Sequence, residues 1–113
     1  MHEVSLIQSL IETVKLSAAE NDIVRVETVR IIVGAAYGAL PEALDFAFQV
    51  LTKDTVCEGA VLEIDQRPLV LKCVECGSEY RPDEINRKCP NCGASRAKTI
   101  SGKELYVDYY EGD

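Results

Sequence analysis

Two pairs of cysteines, each pair separated by two residues, constrain this chain more than any other feature of its sequence. Cys73 and Cys76 form the first pair, and Cys89 and Cys92 form the second. Two thiolates at this spacing can bind one metal ion from a single tight turn, and two such turns facing each other supply a tetrahedron of sulfur atoms. The sequence therefore predicts a tetrathiolate zinc site.

The cysteine pairs belong to a short internal repeat. Residues 72–77 are Lys-Cys-Val-Glu-Cys-Gly, and residues 88–93 are Lys-Cys-Pro-Asn-Cys-Gly. A glycine after each second cysteine, Gly77 and Gly93, can adopt positive φ and direct backbone N–H groups toward sulfur. We expect two similar knuckles related by a local pseudo-two-fold axis. Because sulfur fills all four ligand positions, the zinc would be structural or regulatory and not catalytic.

The cysteines also allow alternatives to a zinc site. Iron in a rubredoxin-like electron carrier is the main competitor of zinc, since its tetrahedral sulfur geometry is the same. The fifth cysteine, Cys57, is interpreted as a small buried hydrophobic residue near the start of a strand, with a reactive thiol or an additional metal ligand as the alternative. Disulfides are disfavoured because the chain has the features of an intracellular protein.

Composition and charge limit the class of protein. A chain of 113 residues with 47% hydrophobic and 27% charged residues suits one modest core with a small metal-stapled module. The net charge of −7 argues against a nucleic-acid partner, because phosphate binding depends on clustered Lys and Arg. We find neither a secretory signal nor an apolar stretch long enough to cross a bilayer. The sequence predicts a cytoplasmic protein without a membrane partner.

Hydrophobic periodicity predicts two helices in the first half of the chain. Apolar residues at helical spacing begin almost at residue 1, and the pattern ends near Asn21. The β-branched segment 23–33 predicts a strand, which Gly34 ends. A turn then leads into a second helix with Pro41 in its first turn, where the missing N–H costs nothing.

The cysteine pairs lie between two further predicted strands. Alternation over residues 60–65 predicts a strand that continues less regularly through Pro68 to Leu71. Alternating apolar residues from Leu105 to Tyr109 predict a final strand that returns to the same sheet. The expected fold class is therefore α+β, with a small three-stranded sheet, two helices and an inserted zinc-ribbon module.

The expected division into domains follows from this insertion. Residues 1–71 and 102–113 are predicted to form an α/β domain, and residues 72–101 are predicted to form a zinc-binding domain. The hinge between them would lie where the two chain segments cross, near Leu71 and Lys103.

The only histidine, His2, bears on both catalysis and metal binding. A single histidine at the chain start removes most routes to acid–base or nucleophilic catalysis, so we predict that the protein is not an enzyme. A solvated terminus is one interpretation of His2. The other is a chelate in which the α-amine, the His2 backbone amide and the imidazole bind one ion, an arrangement that suits Ni(II) or Cu(II) better than zinc.

The chain resembles the HypA/HybF hydrogenase-maturation nickel metallochaperones over essentially its whole length. The residues that carry the resemblance are Met1-His2-Glu3, Val33-Gly34, Pro41-Glu42-Ala43-Leu44, Phe46-Ala47-Phe48, Glu58-Gly59-Ala60 and the two cysteine pairs. The resemblance implies a nickel site built on His2 and the neighbouring backbone of Met1 and Glu3, with nickel as transported cargo. It also implies delivery to the large subunit of a NiFe-hydrogenase together with a nickel-delivery GTPase, by a monomer or a homodimer.

This chain departs from the family at two points. Family members usually carry a Leu-Ser pair shortly after the strand glycine, where this chain has Ala35-Ala36-Tyr37, and Gln49 stands where an acidic residue commonly follows the Phe-Ala-Phe segment. The alternative function is a zinc-ribbon module for protein interaction or nucleic-acid association, without a nickel role.

Overall fold

The computed structural model describes residues 3–82 and 87–113. In chain order, its helices and strands are α1 (Glu3–Glu20), β1 (Val26–Gly34), α2 (Pro41–Leu51), β2 (Val61–Arg67), β3 (Val70–Cys73), β4 (Glu79–Tyr80), β5 (Ala97–Ser101) and β6 (Leu105–Gly112). A single 3₁₀ turn, Ala35–Tyr37, follows β1 directly. The two predicted helices, a three-stranded sheet and an inserted ribbon are all present, which confirms the α+β class.

Helix α1 ends where the sequence predicts. The Ile23 backbone N–H donates to the Ala18 carbonyl at 2.9 Å, and Asp22 adopts a left-handed φ of 57°. This wrapped-back bond satisfies a carbonyl that the last turn of the helix would otherwise leave unpaired. Because Ile23 caps α1, strand β1 starts at Val26 and not at residue 23 as the β-branched pattern suggested.

Strand β1 is the centre of the first sheet, whose order is β2-β1-β6. It runs parallel to β2 and antiparallel to β6, so the predicted return of the final strand to this sheet is confirmed. Helix α2 lies between β1 and β2 in the chain, as the crossover that a parallel pair requires. Both helices bury their apolar faces in the core of this sheet, whose largest fully buried side chains include Phe48, Leu6, Ile7, Ile31 and Leu44.

The prediction of one strand from Ala60 through Leu71 is wrong. Strand β2 ends at Arg67, and β3 begins at Val70 in a second sheet of order β4-β3-β5. Proline at position 68 has no N–H for a strand ladder, which favours a break there. Alternation alone does not show this break, because both segments have the composition of strands while their pairing partners differ.

The two sheets form two parts of the molecule. We call residues 3–67 and 105–112 the body and residues 70–101 the ribbon. The principal extents are 54 × 24 × 17 Å and the radius of gyration is 17.4 Å, whereas a compact chain of this length would have a radius of gyration of roughly 13 Å. The ribbon therefore extends from the body instead of packing into its core.

Close backbone packing joins the ribbon to the body. The Ala36 N–H donates to the Gly102 carbonyl at 2.8 Å, and the Gly34 N–H donates to the Glu104 carbonyl at 2.7 Å. A Cβ atom on Gly34 would overlap the Gly102 carbonyl. The 3₁₀ turn at residues 35–37, where the sequence departs from the family pattern, thus contacts the segment that leads out of the ribbon.

Candidate metal centre

The first cysteine knuckle begins at the end of strand β3. Cys73 is its last residue, and the chain then turns so that the Gly77 N–H donates to the Cys73 carbonyl at 3.0 Å. Gly77 has φ of +77°, a conformation that disfavours residues with a Cβ atom. This turn directs the next backbone N–H, that of Ser78, to the sulfur of Cys76.

The second knuckle repeats the first bond for bond. The Gly93 N–H donates to the Cys89 carbonyl at 2.8 Å, Gly93 also has φ of +77°, and the Ala94 N–H donates to the Cys92 sulfur. The outer bonds match as well, since the Cys73 N–H donates to the Ser78 carbonyl at 2.8 Å and the Cys89 N–H donates to the Ala94 carbonyl at 2.9 Å. The predicted similarity of the knuckles and the predicted positive φ of their glycines are confirmed.

The two knuckles bring all four sulfur atoms together. The Sγ atoms of Cys73 and Cys92 are 3.5 Å apart, those of Cys76 and Cys89 are 3.6 Å apart, and all four lie within 4.8 Å of one another. A zinc–sulfur bond of about 2.3 Å implies sulfur–sulfur separations of roughly 3.8 Å around a tetrahedral ion. The donor set and its spacing therefore fit one tetrahedral metal ion.

Hydrogen bonds favour the thiolate form of Cys76. The Ser78 and Asn91 side chains are the main causes, and together with the Ser78 N–H they lower the pKa of Cys76 to about 5. The Asn91 Nδ2 atom lies 3.5 Å from the Cys76 sulfur and 3.3 Å from the Ser78 hydroxyl. Sequence reasoning missed Ser78 and Asn91, although the repeat gave one signal, the residue directly after each knuckle glycine.

Cys92, in the second knuckle, ionises less readily than Cys76. The Ala94 N–H lowers the pKa of Cys92, but the hydrogen bond with Cys73 and the loss of hydration outweigh it and raise the pKa to about 12. Four adjacent thiolates repel one another, so the cluster by itself ionises only in part. A divalent cation at the centre would favour deprotonation of all four, because thiolate is the form that binds metal.

The ribbon has little apolar core beside the cluster. Among its described residues, 70–82 and 87–101, the buried ones are Leu71, Cys73, Tyr80 and Cys89, and the Tyr80 hydroxyl donates to the Arg87 carbonyl at 2.9 Å. Two of these four buried residues are cysteines of the cluster. The four cysteines therefore occupy the centre of the ribbon, which in a larger domain would be filled by hydrophobic side chains.

The fifth cysteine lies in the body. Cys57 is fully buried in the core, where loss of hydration raises the pKa of its thiol. It is not a member of the four-cysteine group. The interpretation of Cys57 as a small buried hydrophobic residue is confirmed.

The predicted nickel ligand His2 lies outside the described residues, as does Met1. Glu3 is described as the first residue of α1, in the acidic first turn that favours a helix start. In residues 3–82 and 87–113, Glu3 belongs to no group of three or more His, Cys, Asp or Glu side chains placed to share an ion. No helix in the same residues is both long and apolar enough to cross a membrane.

Comparison with known proteins gives one consistent result. A family model described as hydrogenase/urease nickel incorporation, metallochaperone, hypA matches residues 1–112. The hydrogenase maturation factor HypA of Moorella thermoacetica is 37% identical over 113 residues, covering 100% of both chains. The factor of the same name from Aquifex aeolicus is 35% identical over 111 residues, covering 98% of this chain and 96% of the other.

A solved structure shares the fold. The solution structure of the Ni metallochaperone HypA from Helicobacter pylori aligns with a TM-score of 0.70 at 24% identity, covering 99% of this chain and 97% of that one. At this identity, the structural match supports the architecture of body and ribbon and no finer detail.

Proposed function

The chain belongs to the HypA family of hydrogenase/urease nickel-incorporation metallochaperones, and from that premise we propose that it binds Ni(II) at its N-terminus and delivers the ion for maturation of NiFe-hydrogenase. A metallochaperone family is not a family of enzymes, so the prediction that the protein is not an enzyme is confirmed. The match of the family over residues 1–112 is the observation that carries the proposal.

The proposed nickel ligands lie at the start of the chain. The α-amine of Met1, the His2 backbone amide and the His2 imidazole form adjacent chelate rings, and nitrogen-rich coordination of this kind suits Ni(II). The Glu3 backbone adjoins them at the first residue of α1. Leu6 and Ile7, both buried in the core, support this position by anchoring the first turns of the helix.

The proposed role of the four cysteines is to hold a structural zinc ion. Their sulfur separations of 3.5 and 3.6 Å and the completed set of four sulfur donors support this role. We propose residues 72–101 as the zinc-binding domain, and residues 1–71 with 102–113 as the nickel-binding domain. Zinc would then supply the folding energy that the small apolar core of the ribbon lacks.

The partners follow from the family. Membership in a hydrogenase nickel-incorporation family implies partners in hydrogenase maturation. We propose that these are a nickel-delivery GTPase and the hydrogenase large subunit, and that delivery takes place in the cytoplasm. The relatives named above are hydrogenase maturation factors, which favours a hydrogenase over a urease as the recipient.

Three forms of the protein test the nickel site. Ni(II) is titrated by calorimetry into the native chain, into His2→Ala, and into a form with residues added before Met1, while bound zinc is counted in each. We expect the native chain to bind nickel and both altered forms to lose most of the affinity, with zinc unchanged in all three. Equal nickel affinity in the extended form would overturn the proposal, because that form has neither the free Met1 amine nor the terminal chelate.

Nickel affinity should also depend on pH in a stated direction. The imidazole and the amine must lose protons to bind the ion, so nickel affinity should fall as the pH falls. Affinity independent of pH between 6 and 8 would contradict nitrogen ligands of this kind.

A further inference from the structure

Two short crossings connect the ribbon to the body. The chain enters the ribbon through residues 68–69, between β2 and β3, and leaves it through residues 102–104, between β5 and β6. Crossings this short between two separate sheets could act as a hinge, which the sequence led us to expect near Leu71 and Lys103. Whether the ribbon swings depends on the groups to which these crossings bond.

The body holds the outgoing crossing by its carbonyl groups. Each of the three carbonyls in residues 102–104 accepts a hydrogen bond from residues 34–37. The pairs are the Ala36 N–H with Gly102 at 2.8 Å, the Gly34 N–H with Glu104 at 2.7 Å, and the Tyr37 hydroxyl with Lys103 at 3.4 Å. A linker that swings freely leaves its carbonyl groups to water, so these bonds indicate that the outgoing crossing is fixed to the body.

Tyr37 anchors the turn that makes these bonds. It is the last residue of the 3₁₀ turn Ala35–Tyr37, and its partly buried side chain packs against the core of the body. The Ala36 N–H, which bonds to Gly102, lies in the same turn. The Tyr37 side chain therefore acts on the outgoing crossing in two ways, through its own hydroxyl and by holding the Ala36 donor in place.

The two crossings are packed against each other. The Ser101 hydroxyl donates to the Pro68 carbonyl at 3.0 Å. Gly102 is buried with φ of +109°, and a Cβ atom there would lie 2.6 Å from the Leu69 Cα atom. Since Pro68 also has a fixed φ, the incoming crossing has little freedom of its own. The two crossings should therefore move together or not at all.

Glu104 fixes the bend at Gly102. One carboxylate oxygen of Glu104 accepts a hydrogen bond from the Gly102 N–H at 2.7 Å, and the other lies 3.4 Å from the Ser101 hydroxyl. Gly102 thus has both its N–H and its carbonyl bonded, as a buried backbone requires. A swing of the ribbon would have to break these bonds together with those to residues 34–37.

We propose that the joint between the two parts is a rigid clamp, in which residues 34–37 hold residues 102–104 so that the ribbon keeps one orientation relative to the body. Tyr37 is the positioning residue of the clamp. The proposal replaces the expected hinge, and it does not depend on nickel binding. One consequence is that a partner contacting both parts meets a single surface of fixed shape.

Nuclear magnetic resonance of the full zinc-loaded chain tests the proposal. Residual dipolar couplings of the N–H bonds report the orientation of each part, and relaxation rates give backbone order parameters. We expect one alignment tensor to fit both parts, with order parameters of about 0.85 in the strands of each. A ribbon that needs its own alignment tensor, or whose strands have order parameters below about 0.6, would overturn the proposal.

Gly102→Ala should open the clamp. The new Cβ meets the backbone of Leu69, so the crossings must separate, and the ribbon should then need its own alignment tensor. The matched control is Gly38→Ala, which puts the same methyl group at another glycine of positive φ but meets nothing within 4 Å. It should keep one tensor. A Gly102→Ala chain with one tensor and an unchanged orientation of the ribbon would count against the clamp.

Tyr37→Ala tests the clamp without strain in the crossings. Loss of the ring frees the turn that carries Ala36, so the ribbon should again need its own alignment tensor, while Tyr37→Phe, which keeps the ring, should restore one tensor. Tyr109→Ala is the control and should keep one tensor, because it truncates a tyrosine whose hydroxyl bonds to Glu63 in the body. Zinc content and the dispersion of the amide signals establish that each variant is folded. A folded Tyr37→Ala chain that keeps one tensor would overturn the role of Tyr37 and with it the clamp.

Discussion

The body and the ribbon are stabilised in different ways. Among the described residues, the body buries a cluster of sixteen hydrophobic residues from both helices, the first sheet and the segments that connect them. The buried cluster of the ribbon has four residues, two of them cysteines of the four-cysteine group. Apolar burial is the main source of stability for a body of this kind. The ribbon has the four-cysteine group in place of such a core, and under the proposed zinc site its stability depends on metal coordination. Each part should then respond to a different perturbation.

The largest predicted effect is loss of the metal cluster. Cys89→Ser should release zinc and unfold the ribbon, because structural zinc contributes on the order of 10 kcal/mol or more to small modules of this kind. The body should keep its helices and its thermal transition. Cys57→Ala is the control, since it removes the cysteine that lies outside the cluster. Zinc analysis and amide hydrogen exchange check both variants, and a ribbon that stays protected in Cys89→Ser would contradict the comparison.

The next largest predicted effect is a loss of stability in the body alone. Phe48→Ala should lower the free energy of unfolding by about 3–5 kcal/mol, because it leaves a cavity in the core. Phe46→Ala removes the same atoms from an exposed position and should change it by less than about 0.5 kcal/mol. Chemical denaturation measures both. Neither variant should lose zinc, and zinc loss in Phe48→Ala would show that the two parts do not fold independently.

A substitution between the two parts sharpens the comparison further. Gly34→Ala should lower the stability of the body by about 2 kcal/mol or more, because the new Cβ overlaps the Gly102 carbonyl. Gly38→Ala is the control, since its Cβ meets nothing within 4 Å and only its φ of 64° is unfavourable. It should cost about 1 kcal/mol. Equal effects on the melting temperature would mean that the contact at residue 102 relaxes freely.

The smallest predicted effect concerns the hydrogen bonds to Cys76. Asn91→Ala removes a donor that lowers the pKa of this thiol, so the pKa should rise and zinc affinity should fall about tenfold. Protons compete with zinc for the sulfur, so a thiol with a higher pKa is protonated, and loses zinc, at a higher pH. Zinc release on acidification should therefore begin at higher pH than in the native chain. Competition with a chromophoric chelator measures this, with Ser95→Ala as the control that should behave as native.

The elements with strong local signals could be predicted from the sequence. The end of α1, the start of α2 and the two knuckles each depend on nearby residues, such as the glycine after each second cysteine. Hydrophobic alternation does not show the break between β2 and β3, because the choice of sheet depends on pairing with β5, which lies far along the chain. The local signal for the break is Pro68.

The two phenylalanines of α2 could be told apart from the sequence. The helical spacing of Leu44, Phe48 and Leu51 places Phe48 on the apolar face of the helix and leaves Phe46 off it. The structure agrees, because Phe48 is 2% exposed and Phe46 is 72% exposed. The hydrogen bonds of Ser78 and Asn91 to the Cys76 sulfur could not be predicted, because they depend on how the two knuckles face each other.

The central claim is that two metals use two chemically different parts of this chain. X-ray absorption at the zinc and nickel edges of one sample loaded with both metals tests it most directly. We predict four sulfur neighbours at about 2.3 Å around zinc, and around nickel only nitrogen and oxygen neighbours, including an imidazole. Sulfur neighbours at the nickel edge would contradict the claim, because they would place nickel in the ribbon.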